Sequence, residues 1–290
     1  MQRLESLLLL FFVVLMHRQT TGLRLLLIRH AQSQNNVIAK QMAIKYNGQS
    51  QALMRKEFEQ LRSFEPNLSE IGSKQAEALK DYMLHAFNGL IGQPIPVYCS
   101  HMIRTLYTSK PFLNAMGWKG YIKDDLFEVG GSFETKDGVD IAYPGNNNEF
   151  YRETFPEYEL SHEFSSRSSG WYLGGNRETK SEADLRASGV VSWIWEQVLH
   201  HQSQQNSQDR DVDLCLVIHG DLLGMIARKL MSASQETYFM HLNTAQTLFD
   251  LKIKDDGTKI VSALYLNRVD HLLGKEDELI TGDEMMRVVA

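Results

Sequence analysis

Short apolar runs alternate with helical patterns along most of this 290-residue sequence, and that alternation constrains the fold more than any other feature. A short run that is almost wholly apolar and followed by polar residues is typical of a strand buried on both faces. Four segments fit this description: Leu23–Ile28, Val97–Cys99, Tyr121–Lys123 and Val212–Ile218. Four helical patterns fit between and after them: Ser69–Phe87, Met102–Met116, Ser181–His201 and Leu222–Met231. The alternation predicts an α/β fold, a three-layer sandwich with a mostly parallel central sheet and helices on both faces.

Three further stretches depart from that alternation. Thr247–Ile253 and Ile260–Leu266 flank the sequence KDDGTK and predict a β-hairpin. Val37–Asn67 is charged and only weakly helical, and Gly130–Gly175 has little periodicity; such insertions after strands usually form the walls of a pocket at the carboxyl edge of a sheet. The polar tract His200–Asp211 predicts a solvated loop.

The first 22 residues have a different character from the rest. Leu7–Met16 is an unbroken apolar run that is too short to cross a bilayer as a helix but has the length of a signal-peptide core. No small-residue cleavage pattern follows it. We therefore expect residues 1–22 to be an apolar leader and residues 23–290 to be one domain, with no stable membrane span. A cytoplasmic location is slightly favoured, and secretion stays open.

Charge and cysteine content limit the classes of partner. The formal net charge is -6 and the isoelectric point is near 5.9, so no basic surface for nucleic acid is predicted. An anion would have to be bound by a local cluster of positive charge. Cys99 and Cys215 lie in apolar stretches, where reduced, buried thiols are expected. The sequence does not indicate the oligomeric state.

Two histidines occupy equivalent positions at strand ends. His30 follows LRLLLI, and His219 follows LCLVI and precedes Gly220. If the two strands are neighbours in a parallel sheet, both imidazoles emerge at the edge where such sheets bind ligands. Arg29 and Arg104, the latter in the first turn of the helix after a third strand, would face the same edge. The cluster suits a phosphoryl group, because arginine offers planar, paired donors to its oxygens.

Metal binding is a weaker alternative for these residues, because the sequence has no cysteine pair and no His-x-x-x-His or His-Glu-x-x-His spacing. We expect neither a metal nor an organic cofactor. The other histidines are expected to be ordinary structural or surface residues: His17, His85, His101, His162, His200, His201, His241 and His271.

Five segments resemble, in order and spacing, the histidine phosphatase superfamily in its phosphoglycerate mutase-like branch. They are LIRHAQSQNN, LSEIGSKQAEAL, VYCSHMIRTLYTS, LFEVGG and LVIHGDLLGMIAR. The resemblance implies that His30 is a nucleophile that becomes phosphohistidine, and that Arg29, Arg104 and His219 hold the phosphate. It also implies that Glu128 donates a proton to the leaving group and that Ser33 and Asn36 line the phosphate pocket. Gly220 joins the expected substrate-binding residues. The chain has Ala31 where the family usually has glycine.

The resemblance implies a phosphatase acting on a small phosphorylated substrate, with a mutase as the alternative within the enzyme class. Glycolytic mutases have an Arg-His-Tyr-Gly stretch where this chain has Val129-Gly130-Gly131. A catalytically silent phosphate-binding module is the third possibility.

Partial burial among apolar neighbours should raise the pKa of Glu128, and Asp125 and Glu134 are rival proton donors. Tyr143–Phe155 and Gly170–Glu178 are expected to cover the leaving group.

Overall fold

The computed structural model describes residues 22–47, 49–86, 94–204, 211–275 and 277–282. The strands are β1 (Leu23–Arg29), β2 (Val97–Cys99), β3 (Gly120–Ile122), β4 (Phe133–Lys136), β5 (Val139–Ala142), β6 (Tyr158–Glu159), β7 (Leu214–Ile218), β8 (Gln246–Ile253) and β9 (Lys259–Arg268). The helices are α1 (Gln34–Lys45), α2 (Gln51–Leu61), α3 (Glu70–Ala86), α4 (Ile103–Met116), α5 (Asn148–Thr154), α6 (His162–Ser165), α7 (Lys180–Ser203) and α8 (Gly220–Leu230). Two 3₁₀ turns follow, Asp270–Leu272 and Asp277–Leu279.

Seven of the described strands form one sheet in the order β6-β3-β2-β7-β1-β8-β9. The first five are parallel to one another, whereas β8 runs antiparallel to both β1 and β9. The predicted mostly parallel sheet and the predicted hairpin are therefore confirmed. Strands β4 and β5 pair separately as a small antiparallel ribbon.

Side chains of β1 alternate between two cores, one on each face of the sheet. Leu26 and Ile28 belong to a core that includes residues of α3 and α4, whereas Leu25 and Leu27 belong to one that includes residues of α7 and α8. Because successive residues of a strand point to opposite faces, one buried strand can serve both layers of helices. The predicted three-layer sandwich is confirmed.

The two insertions are more ordered than their sequences indicated. The first contains α1 and α2, which pack through a small core of Ala39, Met42, Met54 and Phe58. The second contains the β4–β5 ribbon, α5, α6 and the edge strand β6. The expected loop from His200 is shorter than predicted, because α7 continues through Ser203; residues 205–210 lie outside the described part.

The expected leader falls almost wholly on residues 1–21, which lie outside the described part of the chain. No described helix is long and apolar enough to cross a membrane.

Candidate active site

The ends of β1 and β7 bring two histidines together. These strands pair in parallel, with Arg29 opposite Ile218, and the amide of His30 donates to the Ile218 carbonyl at 2.8 Å. His30 and His219 therefore follow adjacent positions at the carboxyl edge, and their ring centroids are 5.2 Å apart. The predicted juxtaposition of the two imidazoles is confirmed.

His30 is buried, with 4% of its surface exposed, and its Nδ1 lies 2.7 Å from the carbonyl oxygen of Ala31. A carbonyl can only accept a hydrogen bond, so we assign the proton to Nδ1, which leaves the lone pair on Nε2. Burial, together with the charges of Arg104 and Arg29, holds the pKa of His30 well below its usual value. The imidazole is therefore neutral at physiological pH, as a nitrogen nucleophile must be.

Ala31 is fully buried beside the imidazole. Its amide donates to the Thr108 hydroxyl at 2.8 Å, while its carbonyl orients His30. The methyl group in place of the family's usual glycine thus fits within the core at this position.

Arg104 lies in the first turn of α4, as predicted, and its Nε is 3.3 Å from Nε2 of His30. Burial lowers the pKa of this guanidinium to about 10, and the nearby carboxylates Glu65 and Glu128 oppose that effect. Arg104 is therefore still a cation at neutral pH. Its planar donors lie beside the nitrogen that carries the lone pair.

Arg29 is fixed at the end of β1 by main-chain acceptors. Its Nη1 donates to the carbonyls of His241 and Gly282, the latter at 2.9 Å. Gly220 gives this side chain room, because a Cβ there would lie 3.2 Å from the Arg29 Nε. The first residue of α8 thus packs directly against the guanidinium.

His219 precedes α8 and is completely buried. Its Nε2 lies 2.7 Å from the Ser100 hydroxyl, whereas its Nδ1 is buried without a hydrogen-bond partner among the described residues. Burial and the charge of Arg104 keep the pKa of His219 well below the usual value. A buried polar atom without a partner is costly. His219 itself does not line the cavity, although the His30 ring 5.2 Å away does.

Ser33 and Asn36 open α1 just beyond His30. The Ser33 hydroxyl caps the Asn36 amide, and the Asn36 side-chain oxygen accepts from the Ser33 amide at 3.0 Å. Both residues are buried and line the same cavity as His30.

The segment after His30 packs against the start of α3 and is hydrogen-bonded to it. The side-chain oxygen of Gln32 accepts a hydrogen bond from the Ser69 hydroxyl at 2.7 Å. The main-chain amide of Gln32 donates to the side-chain oxygen of Gln75, also at 2.7 Å. A Cβ on Gly72 would lie 2.0 Å from the Gln32 carbonyl oxygen. The sequence LSEIGSKQAEAL therefore supports the turn that carries His30, with Ser69 capping the helix through the Gly72 amide as expected.

Glu128 reaches the same cavity from the loop after β3. Its carboxylate accepts from the amide of Val129 at 2.9 Å and from the amides of Asp221 and Leu222, at the start of α8, at 3.4 and 3.2 Å. Burial, assisted by the charge of Asp221, raises the pKa of Glu128 to about 7. The predicted rise is confirmed, and at neutral pH the group both gives and takes a proton readily.

The two rival carboxylates do not line this cavity. Asp125 pairs with Lys123 at 2.9 Å, and Glu134 lies 3.6 Å from Lys136 on the β4–β5 ribbon.

Glu65 belongs near the site but carried no recognisable pattern in the sequence. Its Oε1 accepts from the amide of Ile103 at 2.9 Å, next to Arg104 in the chain, and burial raises its pKa to about 7. It lies in the weakly helical insertion, remote in sequence from every strand end.

The structure also changes the expected roles of some other residues. His241 contributes its carbonyl to Arg29 and lines the cavity, although its ring is hydrogen-bonded to Thr247. No residue of Tyr143–Phe155 lines the cavity, and Tyr151 and Phe155 are buried in the core instead. The expectation that this segment covers the leaving group is wrong for the described cavity, which Phe133 and Asp140 of the β4–β5 ribbon line instead. The second predicted segment, Gly170–Glu178, does line the cavity, through Arg177 and Glu178.

The cavity has a volume of about 520 Å³, a size suited to a small organic ligand. Within the described ranges, no group of three or more histidine, cysteine, aspartate or glutamate side chains is arranged to hold a metal ion.

Comparison with known proteins agrees with this architecture. Residues 25–264 match the histidine phosphatase superfamily (branch 1), and the chain belongs to that family. No match was found among curated protein sequences.

Solved structures share the fold at low identity. One, described as mycobacterial hydrolase 1, is 15% identical with a TM-score of 0.52, covering 85% of this chain and 99% of its own. A mycobacterial glucosyl-3-phosphoglycerate phosphatase complexed with VO3 is 16% identical with a TM-score of 0.51, covering 86% and 100%.

Proposed function

We propose that this protein is a phosphatase that hydrolyses a small phosphomonoester through a phosphohistidine formed on Nε2 of His30. The observation that carries the proposal is the hydrogen bond from the His30 Nδ1 to the Ala31 carbonyl. It directs the lone pair to Nε2, which lies beside the Arg104 guanidinium in a cavity that Glu128 also lines. We assign the activity to residues 23–290 as one domain.

In the first step, Nε2 of His30 attacks phosphorus as the bond to the ester oxygen breaks. Arg29, Arg104 and His219 would stabilise the negative charge that develops on the equatorial oxygens. The buried Nδ1 of His219 offers one further contact to them. Fixed donors of this kind stabilise the transition state because they need no reorganisation. Ser33, Asn36 and Gly220 would complete the phosphate pocket.

Glu128 would supply the proton that the leaving alkoxide needs. A pKa near 7 keeps a substantial fraction protonated at neutral pH. The resulting carboxylate would then take a proton from the water that attacks the phosphohistidine, releasing inorganic phosphate and restoring the acid. Asp125 and Glu134 are less suited, since each is paired with a lysine away from the cavity.

The decisive experiment is brief labelling with a ³²P-labelled phosphomonoester, chosen from a panel by phosphate release, followed by quenching. The wild type should give an acid-labile, base-stable phosphoprotein. His30→Ala should give none while remaining folded, because the buried imidazole lines the cavity and belongs to neither hydrophobic core. His85→Ala, at the exposed end of α3, is the matched control and should label normally. An acid-stable phosphoserine would contradict the mechanism.

The same assays address the two alternatives. A mutase would isomerise a phosphoglycerate far faster than it releases phosphate to water. A silent binding module would bind vanadate without turning over any phosphate ester. We expect net hydrolysis, because Val129-Gly130-Gly131 lacks the family mutases' Arg-His-Tyr-Gly stretch.

A further inference from the structure

Three arginines that the phosphohistidine mechanism does not use line the same cavity. Arg55 lies on α2, Arg62 caps the end of that helix, and Arg177 precedes α7. They come from two separate parts of the chain and share one cavity with His30. A substrate whose phosphate sat on His30 would therefore have its leaving group in the same enclosed space as these three cations.

An aromatic ring holds two of these side chains in place. The guanidinium carbons of Arg62 and Arg177 each lie 4.0 Å from the centroid of Phe133, which is 2% exposed at the start of β4. Cation–π contact of this kind is favourable and orients the planar group. Both guanidiniums are therefore fixed in position before any ligand arrives.

Few of the N–H groups of these three arginines donate to an acceptor in the described part of the protein. Arg62 reaches a carboxylate only at 3.6 Å, between its Nη1 and the Glu59 Oε2, although its side chain is only 15% exposed. Burial lowers the pKa of Arg62, an effect that the neighbouring Glu59 carboxylate opposes and the charge of Arg177 reinforces. Arg55 makes no ion pair or side-chain hydrogen bond with any other described residue. The exposed guanidinium of Arg55 is therefore hydrated in the free protein and open to an anion that enters the cavity.

The local charge also favours an anion. Three guanidiniums face two carboxylates in this wall of the cavity, because Glu59 serves both Arg62 and Arg177, and Asp140 pairs with Arg177 at 3.3 Å. A purely structural clamp between α2 and the β4–β5 ribbon would account for Arg62 and Arg177. It does not account for Arg55, whose charge lines the same cavity without a carboxylate partner among the described residues.

We propose that Arg55, Arg62 and Arg177 form a second anion subsite, and that the substrate is a small phosphomonoester whose leaving group carries a second anionic group. That group is a carboxylate or another phosphate, both of which match the paired donors of arginine. This inference rests on the proposed phosphatase function and adds the substrate class to it. Esters of neutral alcohols would leave the subsite empty and react more slowly.

Two matched substrate pairs test the subsite. One compares 3-phosphoglycerate with glycerol 3-phosphate, and the other compares 1,3-propanediol bisphosphate with its monophosphate. Wild-type kcat/KM should favour the member with the extra anion by about tenfold or more in at least one pair, as one charge-assisted contact allows. The pair that shows the preference identifies the anion as carboxylate or phosphate.

Arg55→Ala, Arg62→Met and Arg177→Gln should each reduce that preference severalfold, toward equal kcat/KM for the two members of the pair, since each removes one contact to the second anion. Arg55 is exposed, so Arg55→Ala keeps the test open even if Arg62→Met melts early. Lys56→Ala removes a charge from the adjacent exposed position on α2, outside the cavity, and should leave the preference unchanged.

Hydrolysis of p-nitrophenyl phosphate, which has no second anion, separates the two hypotheses. If the wild type hydrolyses it but prefers neither doubly anionic substrate, the subsite is refuted and the phosphatase stands. Equal losses for both members of a pair, or an equal effect from Lys56→Ala, would refute the subsite in the same way. A folded protein that hydrolyses no phosphomonoester would overturn the phosphatase proposal and the subsite with it.

Discussion

The Nε of Arg104 lies 3.3 Å from the Nε2 of His30, so the nitrogen that carries the lone pair is in contact with a cation. This contact has two consequences. It lowers the pKa of His30, because a nearby positive charge disfavours protonation. It also places a guanidinium where the oxygens of a phosphoryl group on Nε2 would lie.

Replacing Arg104 should therefore change both the rate and its pH dependence. We expect Arg104→Ala to lower kcat by about a hundred- to a thousandfold, the usual cost of losing one electrostatic donor. The acidic limb of the pH–rate profile should move to higher pH, because the pKa of His30 rises once the cation is gone. Steady-state kinetics from pH 4 to 8 and the inhibition constant of vanadate would measure both effects.

Arg104→Lys serves as the matched control for charge. It should restore the position of the acidic limb more fully than it restores kcat, since lysine supplies the charge without the planar pair of donors. If Arg104→Ala kept near-normal kinetics, the two side chains would not share a working site.

Glu128→Gln should affect substrates according to their leaving groups. Loss of a proton donor should reduce turnover of alkyl phosphates by about a hundredfold or more, while p-nitrophenyl phosphate, whose leaving group barely needs a proton, should lose far less. Asp125→Asn and Glu134→Gln should show no such contrast, because neither carboxylate lines the cavity. Equal losses for all substrates would remove Glu128 from the role of acid.

Much of the catalytic edge could be predicted from the sequence because strand ends carry local patterns. His30 and His219 follow buried runs directly, and the parallel pairing of β1 with β7 places them side by side. Arg104 follows β2 by one helical turn. Residues of this kind are positioned by elements whose periodicity can be recognised without knowledge of distant contacts.

The far wall of the cavity was predicted only as whole segments: Val37–Asn67 and Gly130–Gly175 do line it, but no local pattern singled out the individual residues. Arg62 and Arg177 come together only because Phe133 packs between elements that are distant in sequence. Composition was only partly informative there: of the two segments expected to cover the leaving group, Tyr143–Phe155 has Tyr151 and Phe155 in the core, whereas Gly170–Glu178 contributes Arg177 to the cavity. An aromatic side chain in an aperiodic segment does not reveal whether it faces a ligand or the interior.

Buried histidines should make the fold sensitive to acid. Burial lowers the pKa of His101 to about 3 and of His241 and His271 to about 4. Below the unfolded value of about 6.5 the unfolded chain binds protons that the folded chain does not, so stability falls as the pH drops from there toward 4. Each histidine contributes a slope of up to about 1.4 kcal/mol per pH unit in that window.

Glu65 and Glu128 change the pH dependence of folding stability in the opposite direction. Their folded pKa values are raised to about 7, so they add stability as the pH falls from 7 toward the unfolded value near 4.5. Among the described residues, burial lowers the pKa of five histidines, His30, His101, His219, His241 and His271, and raises that of four carboxyls, Glu65, Asp124, Glu128 and Asp221. We therefore expect net destabilisation on acidification, measured as the urea midpoint at pH 7, 6 and 5. His271→Gln should flatten this trend, whereas the exposed His85→Gln should not; a midpoint that rises toward pH 5 would contradict the assignment of neutral buried histidines.

The alkaline limb of the pH–rate profile should respond to Asp221. If Glu128 is the proton donor that we propose, it acts only while protonated, so kcat/KM should fall as the pH rises through about 7. The negative charge of Asp221 helps to raise that pKa, and Asp221→Asn should therefore move the limb to lower pH, while Glu128→Gln should abolish it. Asp184→Asn, which removes a carboxylate paired with Lys229 outside the cavity, should leave the limb in place.

The substrate's own ionisation is common to all variants and cancels in the comparison. A limb that stays fixed in Asp221→Asn would show that this charge does not act on the catalytic acid, and a shift to higher pH would assign the limb to a group other than Glu128.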